Sequence, residues 1–327
     1  MKIFFSLLFI ILTSSHLYAA DIRNPAQLSV EQAEEKKKGF WNYVDAYHYY
    51  LQSRIDDPVL WFDGFFGEPR TEDEELPVSY IRLRTAARYT EGDAFTFPVR
   101  LHVNVRMKNL SDKFRLIITG INEDERTGDR EDTSETLQAG DENEQTSLGL
   151  RYILYKKLRS QLHFGGGLSL GWPLEYYGRA RYERVIHIGS ENLIRFTETG
   201  VWHSLDGFGE TTRFDFERKI TDTVSTRLST FGTYSETSFG VDWGIHLSLY
   251  KKYSYRKAQS LDLGMNGVTR PETRVSGYRI GSRFRTNIYR PWLFLEFEPE
   301  VSWPLDELYD REALFAVTVR LEVQLAN

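Results

Sequence analysis

From residue 78 onward, apolar and polar residues alternate with a period of two. "FTFPVRLHVNVRMK" (95–108) sets Phe95, Phe97, Val99, Leu101, Val103, Val105 and Met107 against Thr96, Arg100, His102, Asn104, Arg106 and Lys108. Such a segment reads as a strand with one apolar and one polar face. "FGVDWGIHLSLY" (239–250) repeats the pattern with Phe239, Val241, Trp243, Ile245, Leu247 and Leu249 on one face. The alternation predicts about fourteen strands: 78–90, 95–108, 113–121, 146–155, 161–172, 177–188, 192–203, 210–219, 223–235, 239–250, 256–266, 274–286, 292–301 and 315–327. Twelve or sixteen are the alternatives.

Residues 21–77 follow a different period. Ser29 and Gln32 form a capping box. Phe40, Val44, Tyr47, Leu51 and Ile55 then recur at helical spacing, and Asp57-Pro58 ends the run. A helix is expected over about 30–56, with Trp41 on it. "VLWFDGFFGEP", which contains Trp61, Phe62 and Phe65, is expected as an aromatic loop. Met1-Lys2 and the short apolar run to Ala20 read as a secretory leader spanning 1–20. No later stretch is apolar enough to span a membrane as a helix.

Long amphipathic strands without covering helices close either around an apolar core or, inverted, within a bilayer. The inverted form is favoured by strand length, by charge on the polar face, and by Tyr and Trp near strand ends. Tyr89, Trp172, Trp202, Tyr234 and Trp303 fall at one end; Tyr155, Tyr250, Tyr289 and Trp292 fall at the other. Connections alternate between short and long, the longest being 122–145. On these features residues 78–327 and the leader resemble a bacterial outer-membrane β-barrel. The resemblance implies an all-β, closed antiparallel transmembrane barrel. It also implies lipid and lipopolysaccharide as surroundings, insertion by the outer-membrane assembly machinery, and an N-terminal segment on the periplasmic side or in the lumen. That class usually ends in an aromatic residue, whereas this chain ends Leu325-Ala326-Asn327.

Composition adds constraints. There is no cysteine, the formal net charge is −6, and mean hydropathy is −0.45. The acidic balance gives no reason to expect nucleic-acid binding. No nucleotide, zinc or other cofactor motif is present.

Parity places Arg82, Arg84, Arg88, Arg100, Arg106, Arg279, Arg283, Arg285 and Arg320 on the lumen face, with Glu296, Glu298, Glu300 and Glu322 among them. Two readings follow: an anion-selecting constriction, or a cross-strand salt-bridge ladder that fills the lumen. Phe40, Trp41, Tyr47, Trp61, Phe62 and Phe65 would supply a plug. The helix could instead lie on the membrane surface or dock a periplasmic partner. The loop 122–145 carries ten acids and two arginines and reads as solvated or as a divalent-cation binder.

Three function classes follow. The first is a channel or transporter for small polar, anionic or amphipathic solutes, occluded by the N-terminal helix. The second is a structural or partner-docking barrel. The third is a lipid-modifying enzyme, for which His102, His163, His246 and Ser169 share the lumen face and His203 lies beside Ser204 and Asp206. No Ser–His–acid set is close enough in sequence to assign catalytic residues.

Overall fold

The computed structural model describes residues 61–62, 65–66, 80–93, 95–106, 114–121, 147–157, 159–170, 173–238, 240–290, 292–305 and 310–326. All lie in one compact unit, Tyr43–Asn327. The expected leader, the helix over 30–56 and the acidic loop 122–145 lie outside the described residues.

Fourteen strands run β1 (Tyr80–Thr90), β2 (Val99–Arg106), β3 (Phe114–Ile121), β4 (Ser147–Lys157), β5 (Ser160–Ser169), β6 (Glu175–Ile188) and β7 (Asn192–His203). They continue β8 (Gly207–Thr221), β9 (Val224–Ser235), β10 (Val241–Ser254), β11 (Lys257–Val268), β12 (Arg274–Asn287), β13 (Leu293–Pro304) and β14 (Leu314–Ala326). Each pairs antiparallel with its sequence neighbour. β1 closes the barrel against β14, from Tyr80↔Ala326 to Thr90↔Ala316, so all 11 residues of β1 pair across the seam. Closure leaves no strand edge, the condition a sheet must meet in lipid.

The alternation seen in the sequence resolves into two faces of opposite character. Leu148, Leu150, Phe164, Phe214, Phe216, Leu247, Leu249, Phe297 and Leu321 point outward and are exposed. Arg195, Asp215, Glu217, Arg285, Glu296 and Glu322 point inward and are buried. A water-soluble sheet would place these groups the other way round. The chain is therefore a transmembrane β-barrel, apolar toward lipid and charged toward the lumen. Glu198 departs from the outer pattern. It lies on the outward face of β7 and accepts a hydrogen bond from the Thr212 hydroxyl at 2.9 Å.

β2 is shorter than the alternation over 95–108 suggested. Pro98 has no N–H to donate to the ladder, and the strand begins at Val99. The register nevertheless carries on past the proline. Arg88 and Thr96 exchange two backbone hydrogen bonds of 3.0 Å, and the Tyr89 and Phe95 rings meet at 5.1 Å.

Connections alternate between the two ends of the barrel. The end that holds Tyr80 and Ala326 has the tight turns 222–223 and 255–256. The other end has the connections 91–98, 122–146 and 305–313. The first end corresponds to the periplasmic side of the class, where turns are short.

Phe214 occupies the middle of β8, outward, between Phe196 and Thr230. Phe214→Arg should lower stability in lipid vesicles by about 2–4 kcal/mol, the range for a cation at bilayer depth. The measurement is urea-dependent unfolding followed by electrophoretic mobility.

Candidate functional site

The lumen wall formed by β12, β13, β14 and β1 follows directly from register. Arg285 lies opposite Glu296, Glu296 opposite Arg320, and Glu322 opposite Arg84. Arg285 donates to Glu322 through Nη2 at 2.9 Å and Nη1 at 3.2 Å, and it also bonds Glu296. Arg320 bonds Glu296 as well. Arg84 Nε donates to Glu322 at 2.7 Å, and Arg82 Nε sits 3.6 Å from the same carboxylate. One layer toward the loops, Arg279 reaches Glu300 and Glu298 at 2.7 Å each. Arg88 lies 3.5 Å from Glu300, and Arg283 lies 3.9 Å from Glu298. Alternate residues of adjacent strands thus carry opposite charge, and carboxylates bridge guanidiniums. Burial of either sign alone would be prohibitive; the network cancels most of that cost.

Of the remaining lumen positions expected from parity, Arg100 lies opposite Arg84 in register. Arg106 is placed by its backbone at the end of β2, opposite Arg115.

A second belt crosses β6 to β9, and the sequence reading had not singled it out. Arg195 stands 3.9 Å from both Glu183 and Glu217; Arg227 Nε approaches Glu217 at 3.1 Å. Arg213 donates to Asp215 at 3.1 Å, and Arg227 Nη1 donates to the Tyr250 hydroxyl at 3.2 Å. The signal was present in the alternation of 192–203 and 210–219. Arg213-Phe214-Asp215-Phe216-Glu217 alternates charge and ring as Glu296-Phe297-Glu298 does; which charges meet across strands only the register shows.

The third wall is different. Arg151, His163, Gly165, Arg179 and Arg181 line one cavity on β4, β5 and β6. Arg151 lies opposite Arg115 and Gly165; Arg179 lies opposite Gly165 and Val201; Arg181 lies opposite His163 and Thr199. No directly opposed position carries a carboxylate. Glu183, two residues along β6, lies 3.9 Å from Arg181. Within "GGG" (165–167), Gly167 serves packing: a Cβ there would lie 2.7 Å from the Tyr177 hydroxyl and 2.8 Å from Gly149 Cα.

Trp61, Phe62, Phe65 and Phe66 are helical, where a loop was expected. The spacing i, i+1, i+4, i+5 sets all four rings on one side of a helical turn. Each is at most 1% exposed. With Tyr250, Ala258 and Phe294 they form the buried apolar cluster of the described residues. Trp61 stacks on Phe65 at 4.6 Å; Phe62 meets Tyr250 at 5.3 Å; Phe65 meets Phe294 edge-on at 5.9 Å. Cations flank the rings, with Lys252 4.3 Å from the Trp61 centroid and Arg285 3.9 Å from that of Phe294. Tyr250 therefore faces the lumen and is no part of an interfacial girdle. It shares parity with Asp242, His246 and Ser248, and that parity decides its direction. Tyr89, Trp202 and Tyr234 are exposed on the outer face. Phe40, Trp41 and Tyr47 lie outside the described residues.

His163 and Ser169 share the lumen face of β5 at separated positions. His203 Nδ1 pairs with Glu175 at 3.1 Å, while the Ser204 hydroxyl accepts the Tyr176 N–H at 3.1 Å. A hydrolase needs the imidazole between serine and acid.

No family model matches the chain, and no curated protein matches it. Among solved structures it is similar in shape to the CymD monoaromatic hydrocarbon channel, at 8% identity and TM-score 0.48, over 81% of this chain and 92% of that one. It is likewise similar to the outer-membrane channel DcaP of Acinetobacter baumannii, at 9% identity and TM-score 0.46, over 76% and 96%. A third is the KdgM porin in complex with disordered oligogalacturonate, at 8% identity and TM-score 0.38, over 74% and 98%.

Glu322 is fully buried and shared by Arg82, Arg84 and Arg285. Glu322→Gln removes the common counter-charge and should destabilise the barrel by about 3–5 kcal/mol, as for a broken buried pair. Unfolding in urea at matched lipid composition measures it.

Proposed function

We propose that the protein is an outer-membrane channel for small anionic solutes, closed at its periplasmic end by the aromatic segment around Trp61–Phe66. The observation that carries this reading is the charge distribution of the lumen. On the β12–β1 wall, arginines face glutamates and the field is largely cancelled. On the β4–β6 wall, three guanidiniums and an imidazole line one cavity, with Glu183 3.9 Å from Arg181 as the acid at its edge. A confined cluster of one sign concentrates the opposite sign of solute. The anion-attracting set is thus Arg151, His163, Arg179 and Arg181, while Arg82, Arg84, Arg88, Arg279, Arg283, Arg285 and Arg320 hold the wall together.

Closure rests on the aromatic cluster. The rings pack against Tyr250, Ala258 and Phe294 on the lumen face, near the strand ends that hold the short turns. Opening requires these rings to leave, and burial of four aromatics makes that costly without a ligand or partner that offsets it. The outer apolar belt sits in outer-membrane lipid and lipopolysaccharide, and insertion falls to the assembly machinery of that membrane.

Two results are expected in planar bilayers. Trp61→Ala with Phe65→Ala in the full chain should convert a closed protein into a steadily conducting one, because each truncation removes about 3–5 kcal/mol of buried packing. In that conducting background, Arg151→Gln with Arg179→Gln should move the reversal potential in a KCl gradient away from chloride preference. The expected effect is about 1 kcal/mol, severalfold in anion occupancy, per guanidinium. Arg82→Gln with Arg84→Gln should move it less. Cation preference in the conducting background, or no response to the Arg151 and Arg179 changes, would remove the anion reading.

A further inference from the structure

At the end of the barrel opposite the aromatic cluster, three side chains converge that neither the salt-bridge networks nor the channel reading uses. Glu175 is the first residue of β6, His203 the last of β7, and Asp206 lies in the turn to β8. One ligand atom from each, an imidazole nitrogen and two carboxylate oxygens, falls within 4.8 Å of the others. We propose that Glu175, His203 and Asp206 bind one divalent transition-metal ion of the zinc type at this mouth.

The local fold presents these groups together. Tyr177 lies opposite His203 in register, which brings Glu175 to the same strand end. The turn is tied to β6 twice: Ser204 N–H donates to the Tyr176 carbonyl at 2.9 Å, and Tyr176 N–H donates to the Ser204 hydroxyl at 3.1 Å. Gly207 follows with φ of +80°, a conformation that reverses the chain within three residues and sets Asp206 over the strand ends. The Tyr177 ring lies nearly parallel to the imidazole, with centroids 6.0 Å apart, and fixes its plane.

The second observation is the state of the imidazole. His203 is only 7% exposed. Its Nδ1 pairs with Glu175 at 3.1 Å, while its buried Nε2 has no hydrogen-bond partner among the described residues. In every protonation state, then, the protein leaves one ring nitrogen unsatisfied. Nδ1 faces Glu175, so an ion shared by the three side chains would sit at Nδ1, with the ring proton carried on Nε2. Two carboxylates beside a neutral ring also carry two negative charges, which a divalent cation neutralises. Bonds of about 2.0–2.2 Å would set the three ligand atoms about 3.4 Å apart. The side chains need only close slightly from their present spacing. The imidazole favours Zn²⁺ and its first-row neighbours over Ca²⁺ or Mg²⁺, which take oxygen ligands. Three protein ligands leave a fourth position open to the solvent at the mouth.

The test is isothermal titration of Zn²⁺ into the full chain, folded in detergent and stripped with a chelator. The absence of cysteine removes thiolate background. One equivalent should bind, and both His203→Asn and Asp206→Asn should weaken binding at least about tenfold. Asp206→Asn alters only a turn residue. Heat-dependent electrophoretic mobility confirms that each variant remains a folded barrel. Unchanged Zn²⁺ affinity in folded Asp206→Asn would overturn the site. So would absence of a saturable equivalent in the parent protein, or displacement of Zn²⁺ by equimolar Ca²⁺.

Discussion

The barrel depends on cancelling charge inside its own wall. A sheet that turns its apolar face to lipid must turn its polar face inward, and here that face carries more arginine than the lumen could hold uncompensated. Antiparallel register answers this by setting residues directly opposite one another at about 5 Å. Glu322 and Glu296 each serve more than one guanidinium, so a few carboxylates neutralise a larger set of cations. The seam between β14 and β1 lies within this network, through Arg84 and Glu322. Barrel closure and charge compensation are therefore one event: the last strand brings the counter-charge that the first strand needs.

The neutralised wall also receives the aromatic segment. Arg285 bonds Glu296 and Glu322, and its guanidinium lies over Phe294 with Phe65 beyond. A guanidinium whose edge is taken by carboxylates still presents its flat face, and aromatic rings suit that face. Phe65 thus packs beside a guanidinium whose charge is already paired. The basic β4–β6 cavity belongs to another part of the lumen, where Gly165 adds no side chain between Arg151 and Arg179.

Period-two alternation identified all fourteen strands, because each strand separates two unlike environments and every slip would put charge into lipid. Strand ends were less legible. Pro98 shortened β2, since alternation of side chains continues where backbone donors do not. Parity placed Arg82 to Glu322 on one face, but it could not say which charges meet. That required the register, which sets Arg285 opposite Glu296, Glu296 opposite Arg320 and Glu322 opposite Arg84. The cavity at Arg151, Arg179 and Arg181 draws on three strands, β4 to β6, so no single run of sequence shows it. The cluster of Glu175, His203 and Asp206 spans two hairpins; only His203 and Asp206 were adjacent enough to be noticed together. The aromatic run was visible as a run, while its helical turn and its contacts with Tyr250 and Phe294 came from long-range packing.

The two walls of the lumen differ in their charge: arginines alternate with glutamates across β12 to β1, whereas three arginines and a histidine share one cavity on β4 to β6. The chain has no cysteine, so a single thiol reports on one place. Gly165→Cys in the Trp61→Ala, Phe65→Ala background can be reacted in turn with an anionic and a cationic methanethiosulfonate of similar size. The ratio of the two rates cancels the intrinsic reactivity of the thiol and leaves the local potential. The account predicts faster reaction with the anionic reagent, by a factor that shrinks as salt is raised. Equal rates, or faster reaction with the cationic reagent, would contradict it.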